Sequence, residues 1–266
     1  MQWAPVGADH APGGEVWKKV ARQLNPTASR LSPLRYLGDR RLETYYRRTV
    51  DDRALAAEWR EHYFAGLAVP ANAAVLDYGC GRGRHVGLLS QLGFRVGAQD
   101  VKPHTWWRQF HRCAFQVVPP AAPGLPWREH TFAAVLDVTV IHHLAPLQLR
   151  QLAGEVFRVL MPGGHWLLVE ANDESWGAAA PRRYYGHLHS LADVQQLARA
   201  TGFVEVDHRY DGFYAPVAPT FINFLRKQAW PAPFSVDDFG SRLAAHVPPR
   251  RRALWQLRLQ KPERHG

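Results

Sequence analysis

The stretch Val75-Leu76-Asp77-Tyr78-Gly79-Cys80-Gly81-Arg82-Gly83-Arg84 joins a short apolar run to three glycines at alternating positions. The apolar run predicts a buried strand, and the residues after the last glycine predict a helix. Glycine in such a turn permits positive φ and lets a ligand approach the backbone with no side chain in the way. The stretch therefore predicts a ligand-binding loop at the carboxyl end of a strand in an open parallel sheet.

The spacing of the glycines separates two classes of ligand. A dinucleotide-binding loop has the pattern G-x-G-x-x-G, whereas the third residue after Gly81 is Arg84 and the loop reads G-x-G-x-G. An acid, Asp100, lies 23 residues after Asp77 at the end of the next predicted strand. A carboxylate there can accept hydrogen bonds from the two hydroxyls of a ribose. The pattern favours a nucleoside-like ligand over a dinucleotide.

Strands and helices alternate along most of the remaining chain, which predicts a parallel sheet with helices on both faces. We predict strands at 73–77, 94–99, 114–118, 132–138, 165–170, 203–209 and 253–261, and helices at 84–92, 104–112, 146–160 and 190–200. Residues 1–66 are predicted to form an N-terminal arm and helical extension, and residues 67–266 the ligand-binding domain. Residues 211–252, rich in aromatic side chains and proline, are predicted to form a cap inserted before the last strand.

Composition narrows the class of protein. The chain has 266 residues, 46% of them hydrophobic, which is enough for a globular core and excludes a disordered chain. Its apolar runs are too short for a spanning helix, two cysteines cannot form a disulfide framework, and residues 1–5 do not resemble a secretion signal, so a cytoplasmic location is expected.

The formal net charge is +10, and 28 of the 33 basic residues are arginine. This excess indicates either contacts with phosphate groups or a GC-rich coding sequence.

Three motifs resemble those of class I S-adenosylmethionine-dependent methyltransferases. They are V-L-D-Y-G-C-G-R-G-R at 75–84, L-P-W followed by F-A-A-V-L-D-V-T-V-I-H-H-L at 125–144, and R-V-L-M-P-G-G-H-W-L-L-V-E at 158–170. The resemblance implies a doubly wound sheet of seven strands in the order 3-2-1-4-5-7-6, mostly parallel with the last strand antiparallel. It also implies S-adenosyl-L-methionine as the cofactor and no metal.

The resemblance assigns candidate residues to each part of that cofactor. Those expected to bind it are Asp77, Gly79, Cys80 and Gly81 at the methionine end, Asp100 and Val101 at the ribose, and Val138 and Thr139 at the sulfonium. The family often has an acid near the adenine amino group, but residues 120–122 read P-A-A here. Adenine would then depend on backbone groups and apolar walls.

Methyl transfer from a sulfonium requires alignment and exclusion of water, and a base only where the acceptor must lose a proton. His142 and His143 follow the fourth predicted strand and are the candidate catalytic residues, with His142 favoured as the base. Side chains expected on the acceptor side are Tyr184, Tyr185, His187, Phe213 and Tyr214.

The acceptor stays open between alternatives. The apolar segment at 211–252 favours a small apolar or lipid-like acceptor methylated at O, N or C, and the arginines beside it would permit peripheral membrane contact. The strings V-I-H-H-L and R-Y-Y at 183–185 resemble transfer-RNA wobble-uridine methyltransferases, for which RNA would be the partner. A non-catalytic subunit that binds the cofactor is the third reading.

Overall fold

The structure is a computed structural model that describes residue 60 and residues 63–119, 124–175, 186–211, 246–252 and 254–263. Its strands are β1 (Ala74–Tyr78), β2 (Arg95–Asp100), β3 (Ala114–Val117), β4 (Phe132–Val138), β5 (Leu160–Ala171), β6 (Val204–Asp211) and β7 (Leu254–Gln260). Its helices are α1 (Arg84–Gln91), α2 (Pro146–Val159) and α3 (Leu191–Thr201), with short 3-10 turns at Thr105–Gln109, Ile141–His143 and Pro249–Arg251.

The seven strands form one sheet in the order β3-β2-β1-β4-β5-β7-β6, which confirms the predicted fold. The pairs β1–β2, β1–β4, β2–β3 and β4–β5 are parallel. Lys261, just after β7, exchanges backbone hydrogen bonds with Gly163 and Gly164 near the start of β5. Since the end of one strand meets the start of the other, β7 runs antiparallel to β5.

The central strands owe their position to nearly continuous apolar runs, which suit a sheet covered on both faces. Six of the seven residues of β4 are buried, as are the three central residues of β1. Because β1, β2 and β4 are parallel neighbours, their carboxyl ends lie side by side. This edge of the sheet carries the glycine loop (residues 79–83), Asp100 and the histidine turn (Ile141–His143).

Two elements differ from the predictions. The expected helix at 104–112 is only the 3-10 turn Thr105–Gln109, because the side chains of Trp107 and Phe110 pack against the glycine loop. Strand β5 begins at Leu160 rather than at residue 165, since a register shift opposite Phe132 and Ala134 lets the chain continue as a strand through its glycines. Ser190 caps the N-terminus of α3, with its Oγ accepting from Asp193 N at 3.1 Å.

The chain divides into two compact units. The larger comprises the described residues within Tyr36–Glu170, His189–His208 and Gln256–Gly266. In the smaller unit Asn172 Nδ2 donates to the carbonyls of Arg250 and Arg252, both at 2.9 Å. The arm and helical extension predicted at 1–66 and the cap predicted at 211–252 lie mostly outside the described ranges, and the predicted domain division stays a prediction. In the described part of the chain, no helix has the length and apolar character needed to cross a membrane.

Candidate functional site

The glycine loop follows β1 and has positive φ at each of its glycines: 68° at Gly79, 52° at Gly81 and 91° at Gly83. The space available for a side chain differs between these glycines. A Cβ on Gly79 would lie 2.5 Å from a methyl of Val140, so no larger residue fits there. A Cβ on Gly81 would meet nothing within 4 Å. Gly81 therefore presents bare backbone to open space, as a ligand cradle requires.

Asp100, the last residue of β2, reaches the glycine loop directly. Its Oδ2 accepts a hydrogen bond from Gly81 N at 2.8 Å, and its Oδ1 lies 3.4 Å from Lys102 N. One carboxylate oxygen thus holds the loop, and the other keeps a free lone pair beside the same space. The acid and the loop meet at one site, as their spacing in the sequence predicts.

A pocket of about 550 Å³ opens at this edge of the sheet, a size within the range of small-molecule sites. Its lining residues come from the end of β1 and the glycine loop, the ends of β2, β3 and β4, residues 124–125, the histidine turn and α2. They are Tyr78, Gly79, Gly81, Gln99, Asp100, Val101, Lys102, His104, Val118, Pro119, Gly124, Leu125, Thr139, Val140, His143, Leu144, Gln148, Gln151, Leu152 and Glu155.

Beneath the pocket lie two buried carboxyl groups on neighbouring strands, Asp77 on β1 and Asp137 on β4, each 1% exposed. Burial, and then the nearby Asp100, raises the pKa of Asp77 well above its usual value, although a backbone hydrogen bond from Val86 opposes the shift. Burial, and then Glu170, likewise raises the pKa of Asp137. Both shifts favour the protonated carboxyl, so these acids are poorly suited to act as anions toward a ligand.

The two histidines of the histidine turn have different surroundings. His142 is 3% exposed, its Nδ1 lies 2.9 Å from Glu170 Oε1, and its backbone N donates to Glu170 Oε2 at 3.2 Å. His143 lines the pocket, with its ring 4.0 Å from that of His142 between centroids. His142 is not among the lining residues, so of the pair His143 faces the pocket.

Thr139 also marks this side of the pocket as constrained. Its φ is 57°, which is rare for a β-branched residue, and its Oγ1 donates to Val138 O at 2.7 Å. Its backbone N donates to Val169 O at 2.7 Å, which holds the end of β4 against β5. The strained residue directs Val140 onto Gly79 and so sets the floor of the pocket.

The opposite rim is held to α2 by hydrogen bonds from Glu155 and Arg158, which form an ion pair within that helix. Glu155 Oε2 accepts from Leu125 N at 2.7 Å, and Arg158 donates to the carbonyls of Leu125 and Trp127 at 3.0 and 2.9 Å. The hydrogen bond from Arg158 lowers the pKa of Glu155, which keeps the carboxylate charged. Because the backbone N and O of Leu125 are both hydrogen-bonded in this way, its apolar side chain is the part that can contact a ligand in the pocket.

The structure brings together Gly79, Gly81, Asp100, Val101 and Thr139 of the eight residues expected to bind a cofactor. Asp77 and Cys80 are buried and Val138 is partly buried, and none of the three is among the lining residues. Of the two candidate catalytic residues, His143 reaches the pocket and His142 does not. His187 is exposed in the smaller unit, and the other four expected acceptor residues, Tyr184, Tyr185, Phe213 and Tyr214, lie outside the described residues.

Several lining residues were not foreseen in the sequence. Tyr78 ends β1 and Gln99 precedes Asp100 at the end of β2, so their position beside Gly79 and Asp100 could have indicated them. Gln148, Gln151 and Glu155 share one face of α2, and nothing in the sequence shows that this face meets the glycine loop. In the described ranges no group of three histidine, cysteine or acidic side chains could hold a metal ion.

The arrangement fits a nucleoside that carries an amino-acid tail. The bare backbone at Gly81 can receive the tail, and Asp100 can accept from ribose hydroxyls with its second oxygen. Apolar side chains of Val101, Val118 and Leu125 can cover a base.

Comparisons with known proteins identify a domain that includes the glycine loop. Residues 75–164 match a protein-family profile described as a methyltransferase domain. An uncharacterized methyltransferase of Synechocystis is 33% identical over 110 residues, which are 41% of this chain and 52% of the relative. The tRNA (carboxymethyluridine(34)-5-O)-methyltransferase ALKBH8 of Mus musculus is 29% identical over 143 residues, covering 52% of this chain and 21% of the relative. The chain thus spans about half the length, or less, of these curated relatives.

A solved structure shares the fold. Phosphoethanolamine N-methyltransferase 2 of Haemonchus contortus, in complex with S-adenosyl-L-methionine, superposes with a TM-score of 0.54 at 16% identity, covering 79% of this chain and 53% of that chain. The sheet order, the glycine loop with its acid partner, and the family match agree with one another. Residues 75–164 therefore carry a methyltransferase domain, and the described sheet has the fold of class I S-adenosylmethionine-dependent methyltransferases.

Proposed function

We propose that this chain binds S-adenosylmethionine in the pocket and transfers its methyl group to a base of transfer RNA. The observation that carries the cofactor assignment is the 2.8 Å hydrogen bond from Gly81 N to Asp100 Oδ2, which joins the loop and the acid at one cavity. A ribose and an amino-acid tail can therefore be held side by side. The tRNA methyltransferases among the similar proteins support the choice of acceptor.

The cofactor supplies an electrophilic methyl on a sulfonium, and the protein supplies alignment and exclusion of water. Asp100 would hold the ribose, and the glycine loop would hold the methionine end. The apolar walls at Val101, Val118 and Leu125 would cover the adenine in place of the missing acid. Thr139 and Val140 fix the distance between the end of β4 and the loop, and so the depth at which the reacting atoms meet.

His143 is the side chain best placed to take a proton from the acceptor. It lines the pocket, and burial followed by the charge of its neighbour His142 lowers its pKa below the usual 6.5. The neutral imidazole therefore dominates at pH 7, which is the form a general base needs. His142 is engaged by Glu170 beneath it and is better suited to orienting the turn.

The test is methyl transfer from radiolabelled S-adenosylmethionine to bulk tRNA. We expect His143→Ala to lower turnover by about 10²–10⁴-fold, the usual contribution of a general base, while S-adenosylmethionine affinity stays within about twofold. His111→Ala, an exposed histidine away from the pocket, is the matched control and should leave both unchanged. Normal turnover in His143→Ala would remove the role of base from this residue.

Charge beside the pocket supports an anionic acceptor. Lys102 and His104 line the pocket, and residues 101–118 contain three Lys or Arg and no acid. If these side chains contact phosphates, RNA affinity should fall steeply as salt rises, and Lys102→Ala should reduce the slope of log K against log[salt] by about 1. An RNA affinity that does not change with salt concentration would contradict an RNA acceptor.

A small apolar or lipid-like acceptor is the second candidate, favoured by the apolar part of the pocket wall and by the aromatic composition of residues 211–252. It predicts no measurable binding to bulk RNA at physiological salt. A chain that binds S-adenosylmethionine but transfers no methyl group to RNA or to an extract of small molecules would instead support the non-catalytic reading.

A further inference from the structure

Gly81 is hydrogen-bonded through both of its backbone groups to side chains from elsewhere in the chain. Its N donates to Asp100 Oδ2 at 2.8 Å, and its O accepts from Trp107 Nε1, also at 2.8 Å. The residue sits at φ 52° with no atom near the position of a Cβ. A glycine this unconstrained can adopt many conformations, so these two contacts, beside the backbone hydrogen bonds from Cys80 N to Gln99 O and from Gly83 N to Cys80 O, restrain the conformation that the loop keeps.

Trp107 is itself firmly oriented. It lies in the 3-10 turn Thr105–Gln109, and its ring stacks on Phe115 of β3 with centroids 4.6 Å apart and planes 15° from parallel. Its backbone N donates to His104 O at 3.1 Å. An indole fixed by stacking presents its N–H in one direction, so the hydrogen bond to Gly81 restrains the loop.

The same turn meets the loop at a second glycine. A Cβ on Gly83 would lie 2.7 Å from the ring of Phe110, and Phe110 N donates to Trp107 O at 3.0 Å. The turn and the residue that follows it therefore contact the loop at two of its three glycines. Neither Trp107 nor Phe110 belongs to the three motifs that mark the domain.

We propose that Trp107 is a positioning residue that holds the glycine loop in the conformation that receives the amino-acid tail of S-adenosylmethionine. The proposal rests on the proposed function, since it concerns the same pocket. Holding a flexible loop before the ligand arrives lowers the conformational entropy lost on binding. Without the indole N–H, Gly81 would keep the Asp100 contact and the weak 3.9 Å contact from Cys80 Sγ to its carbonyl, and the loop would sample conformations that do not fit the tail.

The test is calorimetric titration of the whole chain with S-adenosylhomocysteine and with 5′-methylthioadenosine, which lacks the amino-acid tail. Trp107→Phe keeps a ring against Phe115 and removes the N–H. We expect it to weaken S-adenosylhomocysteine binding about three- to ten-fold, the effect of one net hydrogen bond, with little change for 5′-methylthioadenosine. Trp106→Phe, the same change one residue earlier in the same turn, is the matched control and should bind both like the wild type.

Thermal unfolding without ligand accompanies each titration. A purely structural role for Trp107 would lower the unfolding temperature and weaken both ligands alike, which would overturn the proposal. Equal affinities for S-adenosylhomocysteine in Trp107→Phe and Trp106→Phe would also overturn it, with cofactor binding intact. Failure of the wild type to bind S-adenosylhomocysteine would instead remove the proposed function.

A second variant decides the matter if Trp107→Phe does not fold. Phe115→Leu removes the ring on which the indole stacks but leaves the N–H in the chain. We expect a smaller loss of S-adenosylhomocysteine affinity in the same direction, again with 5′-methylthioadenosine nearly unaffected. Unchanged affinity for both ligands in Phe115→Leu would contradict the proposal.

Discussion

The glycine loop and the histidine turn lie at the ends of neighbouring strands, β1 and β4, yet they are held in different ways. The loop offers bare backbone and is fastened from outside, by Asp100 and Trp107 at Gly81. The turn offers a side chain and is fastened from within, by the buried carboxylate of Glu170 beneath His142. One region is shaped by backbone conformation and the other by a buried polar contact.

Because the two regions are held differently, substitutions in them should have different effects. A change in the loop should act mainly through φ angles and close approach, and so fall on ligand binding and local strain. A change beneath the turn should leave a buried polar group without its partner, and so fall on the stability of the whole domain. The predictions below test this division.

The largest effect is expected at Glu170. In Glu170→Ala the ring and backbone N of His142 lose their acceptor at a position 3% exposed, and the free energy of unfolding should fall by about 3–5 kcal/mol. Urea denaturation measures it. Glu205→Ala is the matched control, because His208 Nδ1 lies 2.7 Å from Glu205 Oε1 on the surface, where such a pair contributes about 1 kcal/mol or less. Equal losses of unfolding free energy in the two variants would contradict the role of Glu170 as the buried group that holds the histidine turn.

The next effect separates two glycines of the loop. Gly79→Ala combines φ 68° with a Cβ 2.5 Å from Val140 and should lower the free energy of unfolding by about 2–4 kcal/mol. Gly81→Ala has positive φ without a clash and should cost about 1–2 kcal/mol, while its methyl enters the pocket and weakens S-adenosylmethionine binding. Chemical denaturation and calorimetry measure the pair. A larger loss of stability in Gly81→Ala than in Gly79→Ala would contradict the assignment of the steric clash to Gly79.

The largely buried side chain of His85, behind the loop, should make the stability of the folded state depend on pH. Burial, and then Arg84, lowers the pKa of His85 on α1 from 6.5 to about 3. Above pH 6.5 both folded and unfolded chains carry a neutral imidazole, so the group has no effect. Below it only the unfolded chain takes up the proton, and the folded state should lose about 2 kcal/mol by pH 5.

His85→Gln isolates this contribution, because it removes the titrating group and leaves a polar side chain. The difference in unfolding free energy between pH 7 and pH 5 should be smaller in the variant than in the wild type by about that amount. Parallel pH profiles for the two proteins would show that His85 titrates alike in the folded and unfolded chains.

The contrast between the two regions also explains which features could be predicted from the sequence. Glycine spacing, strand periodicity and Asp100 are local patterns, and they predicted the parallel sheet and the meeting of loop and acid, whereas the order of the strands was implied by the resemblance to a known family. Which of His142 and His143 faces the pocket depends on the phase of a three-residue turn, which no periodicity reveals. The contribution of α2 and the contact of Trp107 with Gly81 depend on packing between segments distant along the chain.

The most direct measurement is calorimetric titration of the wild type and Asp100→Ala with S-adenosylmethionine, beside Glu129→Ala as an exposed-carboxylate control. If the carboxylate of β2 both holds Gly81 and receives the ribose, the wild type and Glu129→Ala bind equally. Asp100→Ala should then bind about tenfold more weakly, a loss of ~1.4 kcal/mol. Equal affinity in Asp100→Ala, or no binding by the wild type, would contradict the assignment of this pocket to the methyl donor.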